Sequence, residues 1–191
     1  MLKKLLLAVL AAVVLFVLYV VARPSAYRIE RTVAIAAPPE IVYGQIADFH
    51  RWPAWSPWAN LDPHMSVQYS GAASGRGAVY EWNGNEKVGQ GRMSIVDSKP
   101  AEAVDIKLEF LKPWSQTSRT QFLLRPEAGG TRVAWVMTGD QDFVGKAYGV
   151  FVNMDKMVGG DFEKGLASLR LVAEEASVAA QRPPQAKPAA P

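Results

Sequence analysis

The apolar positions along the chain follow several patterns, and each pattern predicts a different element. From Leu5 to Ala22 the chain carries no charge over 18 residues. As a helix rising about 1.5 Å per residue this run is roughly 27 Å long, close to a bilayer core of about 30 Å. From Tyr27 to Ala36 apolar residues alternate with polar or small ones, as in a half-buried strand. The chain therefore begins with an apolar helix of membrane-spanning length, followed by a strand.

A short helix is expected directly after this strand. The sequence Pro38-Pro39-Glu40 suits a first helical turn, where proline fits and an acidic side chain complements the helix dipole. Residues 41–46 then supply one or two amphipathic turns.

A loop rich in tryptophan and proline follows at residues 48–63, DFHRWPAWSPWANLDP. Trp52, Trp55 and Trp58 recur at intervals of three residues. The three prolines of this stretch prevent one continuous helix. We expect short turns and loop here.

Six further segments have the character of strands, and short stretches rich in turn residues separate them. They are Ser66–Tyr69, Ala78–Trp82, Lys87–Val96, Ala103–Phe110, Gln116–Leu124 and Thr131–Thr138. The clearest alternation, at residues 104–110, places four apolar side chains on one face and three charged ones on the other. Short connections join antiparallel neighbours, so the segments predict an antiparallel meander with one wet face and one covered face.

The cover for the sheet is expected from the C-terminal part of the chain. From Tyr148 to Ala173 apolar residues recur at intervals of three and four, which predicts a long amphipathic helix. We expect Gly159-Gly160 to allow a division into two pieces, with Asp161 capping the second. Residues 177–191 are rich in Ala, Gln, Pro and Lys, and this composition predicts a disordered tail.

Charge and cysteine content narrow the classes of function. The formal net charge is +3, yet between Arg28 and Ala176 the chain carries 16 basic and 18 acidic side chains. The basic excess lies at the two ends, so no nucleic-acid partner is expected. The absence of cysteine excludes disulfides and thiolate chemistry. The sequence contains no phosphate loop, GxSxG, dinucleotide or HExxH motif, and no cofactor is expected.

The N-terminal apolar run favours a retained membrane anchor over a cleaved signal peptide. The apolar region of a signal peptide is usually about 7 to 15 residues long and ends at a small-x-small site. Here the run ends in Ala22-Arg23-Pro24, which is a poor cleavage context. Lys3 and Lys4 favour a cytoplasmic N-terminus.

We therefore expect three regions. Residues 1–26 form a membrane anchor with a transmembrane helix at about 5–22, residues 27–176 form the domain, and residues 177–191 form the tail. The protein would cross the membrane once, with the domain on the extracytoplasmic side, the periplasmic side in a bacterium.

The order of elements predicts an α+β helix-grip fold, a curved antiparallel sheet wrapped around a long C-terminal helix. The segment VAIAAPPEIVYGQIADFHRWPAWSPW at residues 33–58 resembles the opening of the SRPBCC (START-like) superfamily, in particular its polyketide cyclase/dehydrase and lipid-transport branch. The segment GGDFEKGLASLRLVAEE at residues 159–175 is similar to the closing helix of that branch. The resemblance covers about residues 27–176. It implies a cavity between helix and sheet that holds lipids, sterols, polyketides or other hydrophobic ligands.

Aromatic and methionine side chains suit an adaptable apolar pocket, and those expected on the inner faces are candidates for ligand contact. They are Tyr80, Trp82, Met93, Leu108, Phe110, Phe122, Trp135 and Met137 from the sheet, and Phe151, Met154, Phe162 and Leu166 from the helix. Each of them is also well suited to simple core packing. Trp55 and Trp58, with Trp52, form either a lid over the cavity mouth or a structural plug under the loop.

Four side chains are candidates for acid or base catalysis in such a pocket: Asp48, His50, Glu81 and Asp140. Helix capping is a competing role for the two aspartates. His50 and His64, the only histidines, are 14 residues apart with no carboxylate at a typical ligand spacing, so no metal site is expected.

Three functional hypotheses remain open. The favoured one is a non-catalytic binding or transfer module for an apolar molecule or lipid near the membrane. The second is a cyclase or dehydratase acting in the same cavity. The third is a module that binds a protein partner and has a filled interior, so the presence of room beside the helix separates it from the others.

Overall fold

The computed structural model describes residues 1–182, and this range forms seven strands, four α-helices and one 3-10 helix. The strands are β1 (Ala26–Ile35), β2 (Ser66–Gly71), β3 (Ala78–Asn83), β4 (Gln90–Lys99), β5 (Ala103–Lys112), β6 (Gln116–Glu127) and β7 (Gly130–Asp140). The helices are α1 (Leu2–Ala22), α2 (Pro39–Ile46), the 3-10 helix (Phe49–Ala54), α3 (Phe143–Phe151) and α4 (Met154–Gln181).

All seven strands form one antiparallel sheet in the order β1-β7-β6-β5-β4-β3-β2. β2 to β7 follow one another as a meander, and β1 closes the other edge by pairing with β7. The sheet curves around the helical side of the domain. The predicted α+β helix-grip fold is confirmed.

The strand register orders the inner face of the sheet into rows. One row crosses four strands, with Tyr27 of β1 opposite Gly139 of β7. Ser118 of β6 is opposite Gly139 on its other side, and Leu108 of β5 is opposite Ser118. This row is close to the end at which β1 starts and β7 finishes. We call it the α1 end of the sheet, because α1 leads directly into β1 there.

α4 closes over the inner face next to β1, α2 and the 3-10 helix. Its buried side includes Phe162, Leu166, Leu169 and Ala173. Gly165 lets it come close to the sheet, since a Cβ there would lie 2.8 Å from the Trp135 ring and 3.0 Å from Pro57. Contacts this short allow no larger residue without a shift of α4.

Arg31 of β1 fixes the first turns of α4. Its guanidinium donates to the Glu163 carboxylate at 2.7 Å, and to the carbonyl and carboxylate of Asp155 at 3.0 and 3.1 Å. The hydrogen bond from Arg31 lowers the pKa of Asp155. A Cβ on Gly159 would overlap the guanidinium, so glycine at this position makes the arrangement possible.

The two C-terminal helices divide at Val152-Asn153, and the predicted division at Gly159-Gly160 is wrong. The Asn153 side chain accepts the Lys156 N–H at 2.9 Å and caps α4. Glycine costs a helix only about 1 kcal/mol relative to alanine, and the Arg31 contacts at Gly159 hold that turn in place. Asp161 pairs with Lys164 at 3.0 Å inside the helix rather than capping it.

The predicted tail begins too early. α4 continues to Gln181, and Ser177 is buried four residues after buried Ala173, on the same side of the helix. The small side chains continue the packed stripe, although the composition lacks large apolar residues. The rest of the predicted tail, residues 183–191, lies outside the described residues.

α1 is 21 residues long, with a mean hydropathy of 3.2 over its most apolar window. It passes the length and composition test for a membrane span, as signal sequences also do. Val20 is its buried residue, and the rest of its surface is exposed or half-exposed. α1 reaches the domain through α3.

Gly159 and Gly160 offer a matched pair for testing whether Arg31 positions α4. A Cβ at Gly160 has no neighbour within 4 Å, so Gly160→Ala should raise the free energy of unfolding by about 0.5 to 1 kcal/mol. Gly159→Ala should lack this gain, because the new methyl displaces the Arg31 guanidinium from Glu163 and Asp155. Urea denaturation of both variants measures the difference. Equal stabilisation by the two substitutions would contradict the role of Arg31 in positioning α4.

Candidate functional site

Aromatic rings fill one part of the concave face. Trp135 of β7 stacks on Phe162 of α4, with ring centroids 4.1 Å apart and planes 7° apart. Phe122 lies 4.8 Å from Trp135, and Trp55 meets both rings edge-on at 5.8 and 5.9 Å. All four side chains are buried, as is Leu166. These five predicted lining residues therefore belong to the packed core.

The tryptophans of the loop divide between core and boundary. The Trp52 and Trp55 indoles are buried and donate to the carbonyls of Ile46 (2.9 Å) and Gln45 (3.1 Å) at the end of α2. These two form a plug that fixes the loop. Trp58 is half-buried against Trp135 and Phe162. Of the three, Trp58 alone lies at the wet boundary where a lid would be placed.

The concave face is less covered toward the α1 end. Tyr80, Met93, Leu108 and Phe110 are only half-buried there, although their side chains point to the inner face, and Trp82 lies beside them at 9% exposure. We call these five residues the open apolar patch. The next row inward is fully buried: Ile29, Ile95, Ile106, Thr120 and Met137. Cover on the concave face therefore decreases from the aromatic core toward the α1 end.

The open apolar patch is held rigidly. The Trp82 indole donates to the Val88 carbonyl at 3.0 Å and meets the Phe110 ring edge-on at 5.9 Å. Gly91 lies beneath it, and a Cβ there would overlap the indole. Tyr80 packs against Phe49 at 5.9 Å. These contacts fix the shape of the surface.

Hydroxyl groups border the patch on β1 and β6. The Tyr27 hydroxyl and the Ser118 hydroxyl are 2.7 Å apart, and the Gln116 amide donates to Tyr27 at 3.4 Å. Burial raises the pKa of Tyr27, against the opposing effect of the Ser118 hydrogen bond. Burial also raises the pKa of Tyr80 to about 12. Both phenols are neutral near pH 7 and can donate hydrogen bonds.

Two buried polar atoms on the inner face have no hydrogen-bond partner within residues 1–182. They are Thr120 Oγ1 and Trp135 Nε1. A buried polar atom without a partner costs about 1 to 3 kcal/mol, so water or a polar ligand group at these atoms would be stabilising.

Of the four acid and base candidates, Asp48 and His50 pair at 3.0 Å beside Tyr69, at the β2 edge of the concave face, and Glu81 and Asp140 lie apart from them. Asp48 caps the 3-10 helix by accepting the His50 N–H at 2.9 Å, and the exposed His50 ring stacks on Tyr69 at 4.1 Å. Glu81 points to the outer face of β3, and Asp140 is exposed at the end of β7. Within residues 1–182 no group of three or more His, Asp or Glu side chains suits a metal ion.

Phe151 and Met154, the other two candidates for ligand contact from the C-terminal helices, are not buried against the sheet. Phe151 is 78% exposed at the end of α3, and its ring lies 6.1 Å from that of Phe16 in α1. Its expected place on the sheet is wrong, because the division at Val152-Asn153 turns α3 away from the path of α4. Met154 is half-buried at the first residue of α4.

Two clefts lie outside the concave face, and sequence patterns gave no sign of either. One, of about 370 Å³, runs between β1 and α4 beside Arg31 and Arg170. The other, of about 660 Å³, lies on the outer face over Asp105 and Arg119. Their charged side chains alternate along solvent-facing positions, which is the ordinary pattern of a wet surface.

A family model described as polyketide cyclase / dehydrase and lipid transport matches residues 26–174. The chain belongs to this family. The resemblance found in the tryptophan loop and the closing helix is thereby confirmed. Family membership alone leaves the activity open, because one fold supports many functions.

One relative with an assigned function matches part of the chain. The chain is 32% identical over 109 residues to the granaticin polyketide synthase bifunctional cyclase/dehydratase of Streptomyces violaceoruber. The match covers 56% of this chain and 32% of that protein, so the chain spans about a third of its length.

Several solved structures share the fold. The di-domain ARO/CYC StfQ of the steffimycin biosynthetic pathway superposes with a TM-score of 0.60 at 11% identity, over 81% of this chain and 52% of that one. A protein of Chromobacterium violaceum gives 0.55 at 18% identity, over 80% and 99% of the two chains. The Aha1 dimer of Colwellia psychrerythraea gives 0.52 at 17% identity, over 82% and 99%. At these identities the likeness concerns the fold.

The capping role of Asp48 predicts a pH dependence. Burial opposes ionisation of Asp48, but hydrogen bonds from His50 and Arg51 outweigh it and lower the pKa. The stability that depends on this lowered pKa is present above the unfolded value of about 3.9 and is lost as the pH falls below it. In Asp48→Asn, which keeps a capping oxygen, this part of the acid sensitivity should vanish. Denaturation followed by tryptophan fluorescence between neutral pH and pH ~3 compares the proteins, and identical slopes would contradict the role.

Proposed function

We propose that this protein is a membrane-anchored binding or transfer module for a hydrophobic small molecule or lipid. The ligand would lie against the open apolar patch on the concave face. The observation that carries the proposal is the uneven cover of this face, which is buried around Trp135 and half-exposed at Leu108 and Phe110. Contiguous apolar surface left open inside a fold is characteristic of a ligand site.

Burial of this surface would supply the affinity. A ligand that removed about 300 Å² of apolar surface from water would gain roughly 7 kcal/mol at about 25 cal/mol per Å². Association and ordering costs offset part of this gain. The rigid packing of Trp82 and Tyr80 keeps the protein's share of that cost low, because their rings are already held in place.

The bordering hydroxyl groups favour a ligand with one polar group. Tyr27 and Ser118 form a hydrogen-bonded pair next to Leu108 in the register, and the unpartnered Thr120 hydroxyl lies one row further in. These groups match a carbonyl or hydroxyl oxygen on a mainly apolar molecule. Few polar groups in an apolar surface orient a ligand without providing much of its affinity.

The anchor is proposed from α1. We infer that α1 is retained and spans the bilayer, with the domain from β1 to the end of α4 on the extracytoplasmic side. Its length and mean hydropathy of 3.2 support the span, and Lys3 and Lys4 support the orientation. A ligand taken from the bilayer would then have only a short path to the patch.

A cyclase or dehydratase activity is the second candidate, favoured by the likeness to the granaticin bifunctional cyclase/dehydratase. Asp48 and His50 lie at the β2 edge of the concave face, where the His50 ring stacks on Tyr69 opposite Tyr80. Glu81 and Asp140 lie off that face. A reaction at the patch would therefore depend on this pair or on hydroxyl groups such as Tyr27 and Ser118. Hydroxyl groups orient and polarise a substrate, but as general bases they are weak near pH 7.

The protein-interaction hypothesis is supported by the filled part of the interior around Trp135. The open apolar patch argues against it, because a purely structural core would continue to the α1 end. We therefore rank ligand binding above partner binding.

Filling the patch should weaken ligand binding. Leu108→Trp would add an indole on the half-buried inner face of β5, and we expect affinity for a phospholipid with a fluorescent NBD acyl chain to fall about tenfold or more, about 1.4 kcal/mol. Leu171→Trp, on the exposed side of α4 at 64% exposure, is the matched control and should bind like the parent. Native mass spectrometry of both proteins should show co-purified lipid on the control alone. Equal binding by the two would exclude the patch as the site.

The catalytic alternative has its own test. Single substitutions of Asp48, His50, Glu81 and Asp140 by alanine should leave any turnover of an extracted ligand within about twofold of the parent. Glu81 and Asp140 point away from the patch, and the Asp48–His50 pair at its edge serves to cap the 3-10 helix. Product analysis by liquid chromatography measures this. Loss of more than about tenfold in one variant would identify a catalytic residue that the geometry does not favour.

A further inference from the structure

α3 is a helix without a buried face. None of its nine residues is buried, although most are apolar. Its most exposed large side chains are Phe143 (45%), Val144 (62%), Tyr148 (53%) and Phe151 (78%). Exposed apolar area of this kind marks an interaction surface, and a helix this short needs packing to be stable.

α3 is fixed to the end of α1. The Lys146 ammonium donates to the carbonyls of Val21 and Arg23 at 3.0 and 3.2 Å, which are among those that the end of α1 leaves without helical partners. The Phe151 ring lies 6.1 Å from Phe16. Phe16 precedes Ala22 by six residues, about 9 Å along the helix axis. A bilayer that surrounds α1 at Phe16 therefore also reaches Phe151.

A second exposed apolar element lies at the same end of the sheet. The turn between β5 and β6 carries Trp114 at 76% exposure, next to Leu111 at 50%. Phe110 is opposite Gln116, two residues beyond the Ser118–Gly139 pair, so this turn projects past the end of β7. Trp114, Tyr148 and Phe151 are the most exposed aromatic residues of the domain within the described range, and all three lie at the α1 end.

We propose that α3 and the β5–β6 turn together form a membrane-docking surface that lies in the interface of the bilayer spanned by α1. The occupant of this surface is lipid. Tryptophan, tyrosine and phenylalanine side chains suit the boundary between headgroups and acyl chains. Lys112 is exposed two residues before Trp114, where its ammonium can reach the headgroups. The proposal rests on the membrane anchoring in the proposed function.

The docking surface determines how a ligand would reach its site. Leu108 and Phe110 of the open apolar patch lie in the rows nearest the α1 end. The Trp114 turn continues directly from the strand that carries them. With α3 and this turn in the interface, the patch opens toward lipid, and an apolar ligand could move between bilayer and patch with little exposure to water.

The chain contains no cysteine, so single cysteines can be labelled with the fluorophore NBD. Val144→Cys and Trp114→Cys report the docking surface, and Val13→Cys reports α1. Leu171→Cys, on α4 at 64% exposure, is the matched exposed control. The full chain is reconstituted in vesicles of phosphatidylcholine and phosphatidylglycerol that contain a spin-labelled phospholipid. We expect blue-shifted emission and at least about threefold stronger quenching at 144 and 114 than at 171.

The positions separate the possible failures. Quenching at 13 without quenching at 144 and 114 would overturn the docking surface and leave the anchor intact. No quenching at 13 would overturn the anchor, and the docking surface with it. Quenching at 144 and 114 that is absent at high protein density and appears only when the protein is diluted into more of the same labelled lipid would show that a second copy covers the surface, and would also overturn the proposal. Quenching at positions 13, 114 and 144 that does not depend on dilution supports the docking surface.

Discussion

The stack of Trp135 on Phe162 determines the shape of the concave face. It joins the sheet to α4 at a ring separation of 4.1 Å, and Gly165 allows this close approach, because a Cβ there would lie 2.8 Å from the indole. Trp55 closes the cluster from the loop side. Because these rings take the helix to the β1 side of the sheet, Tyr80, Met93 and Leu108 receive only partial cover. The open apolar patch is thus a consequence of where the aromatic core is placed.

The chemistry available at this patch is that of recognition more than of acid and base catalysis. Its border carries the hydroxyl groups of Tyr27 and Ser118, and its phenols are neutral near pH 7, where burial raises their pKa values further above that pH. Of the candidate catalysts, Asp48 serves as a cap, His50 stacks on Tyr69 at the edge of the patch, and Glu81 and Asp140 lie off the concave face. A family that includes cyclases and lipid carriers is compatible with such a surface, since the same hollow can orient a reactive chain or simply hold an apolar guest.

α1 and α3 connect this surface to the proposed membrane anchor. Lys146 binds the carbonyls at the end of α1, and Phe151 lies against Phe16, so the orientation of α1 also sets that of α3. The exposed aromatic residues at the α1 end and the open side of the concave face point to one end of the domain. Binding site and anchor would therefore act as one unit, with the distance between them fixed by a few contacts.

The sequence by itself determined the elements that depend on local periodicity. Alternation at residues 104–110 and the three-and-four spacing after Tyr148 predicted the meander and its covering helix, because a strand or a helix repeats every two or about 3.6 residues wherever it packs. Only the tertiary structure decided which inward side chains became core and which stayed open. Trp135 and Leu108 both lie at inward positions of alternating strands. Trp135 is buried because Phe162 and Trp55 pack on it, whereas they do not cover Leu108, which stays half-exposed. The helix division at Val152-Asn153 and the exposure of Phe151 were decided in the same way, by the Asn153 cap, the Arg31 contacts and α1. The Asn153 cap is a local contact, but the Arg31 contacts and the packing of α3 on α1 join residues far apart in the chain, and no local spacing records them.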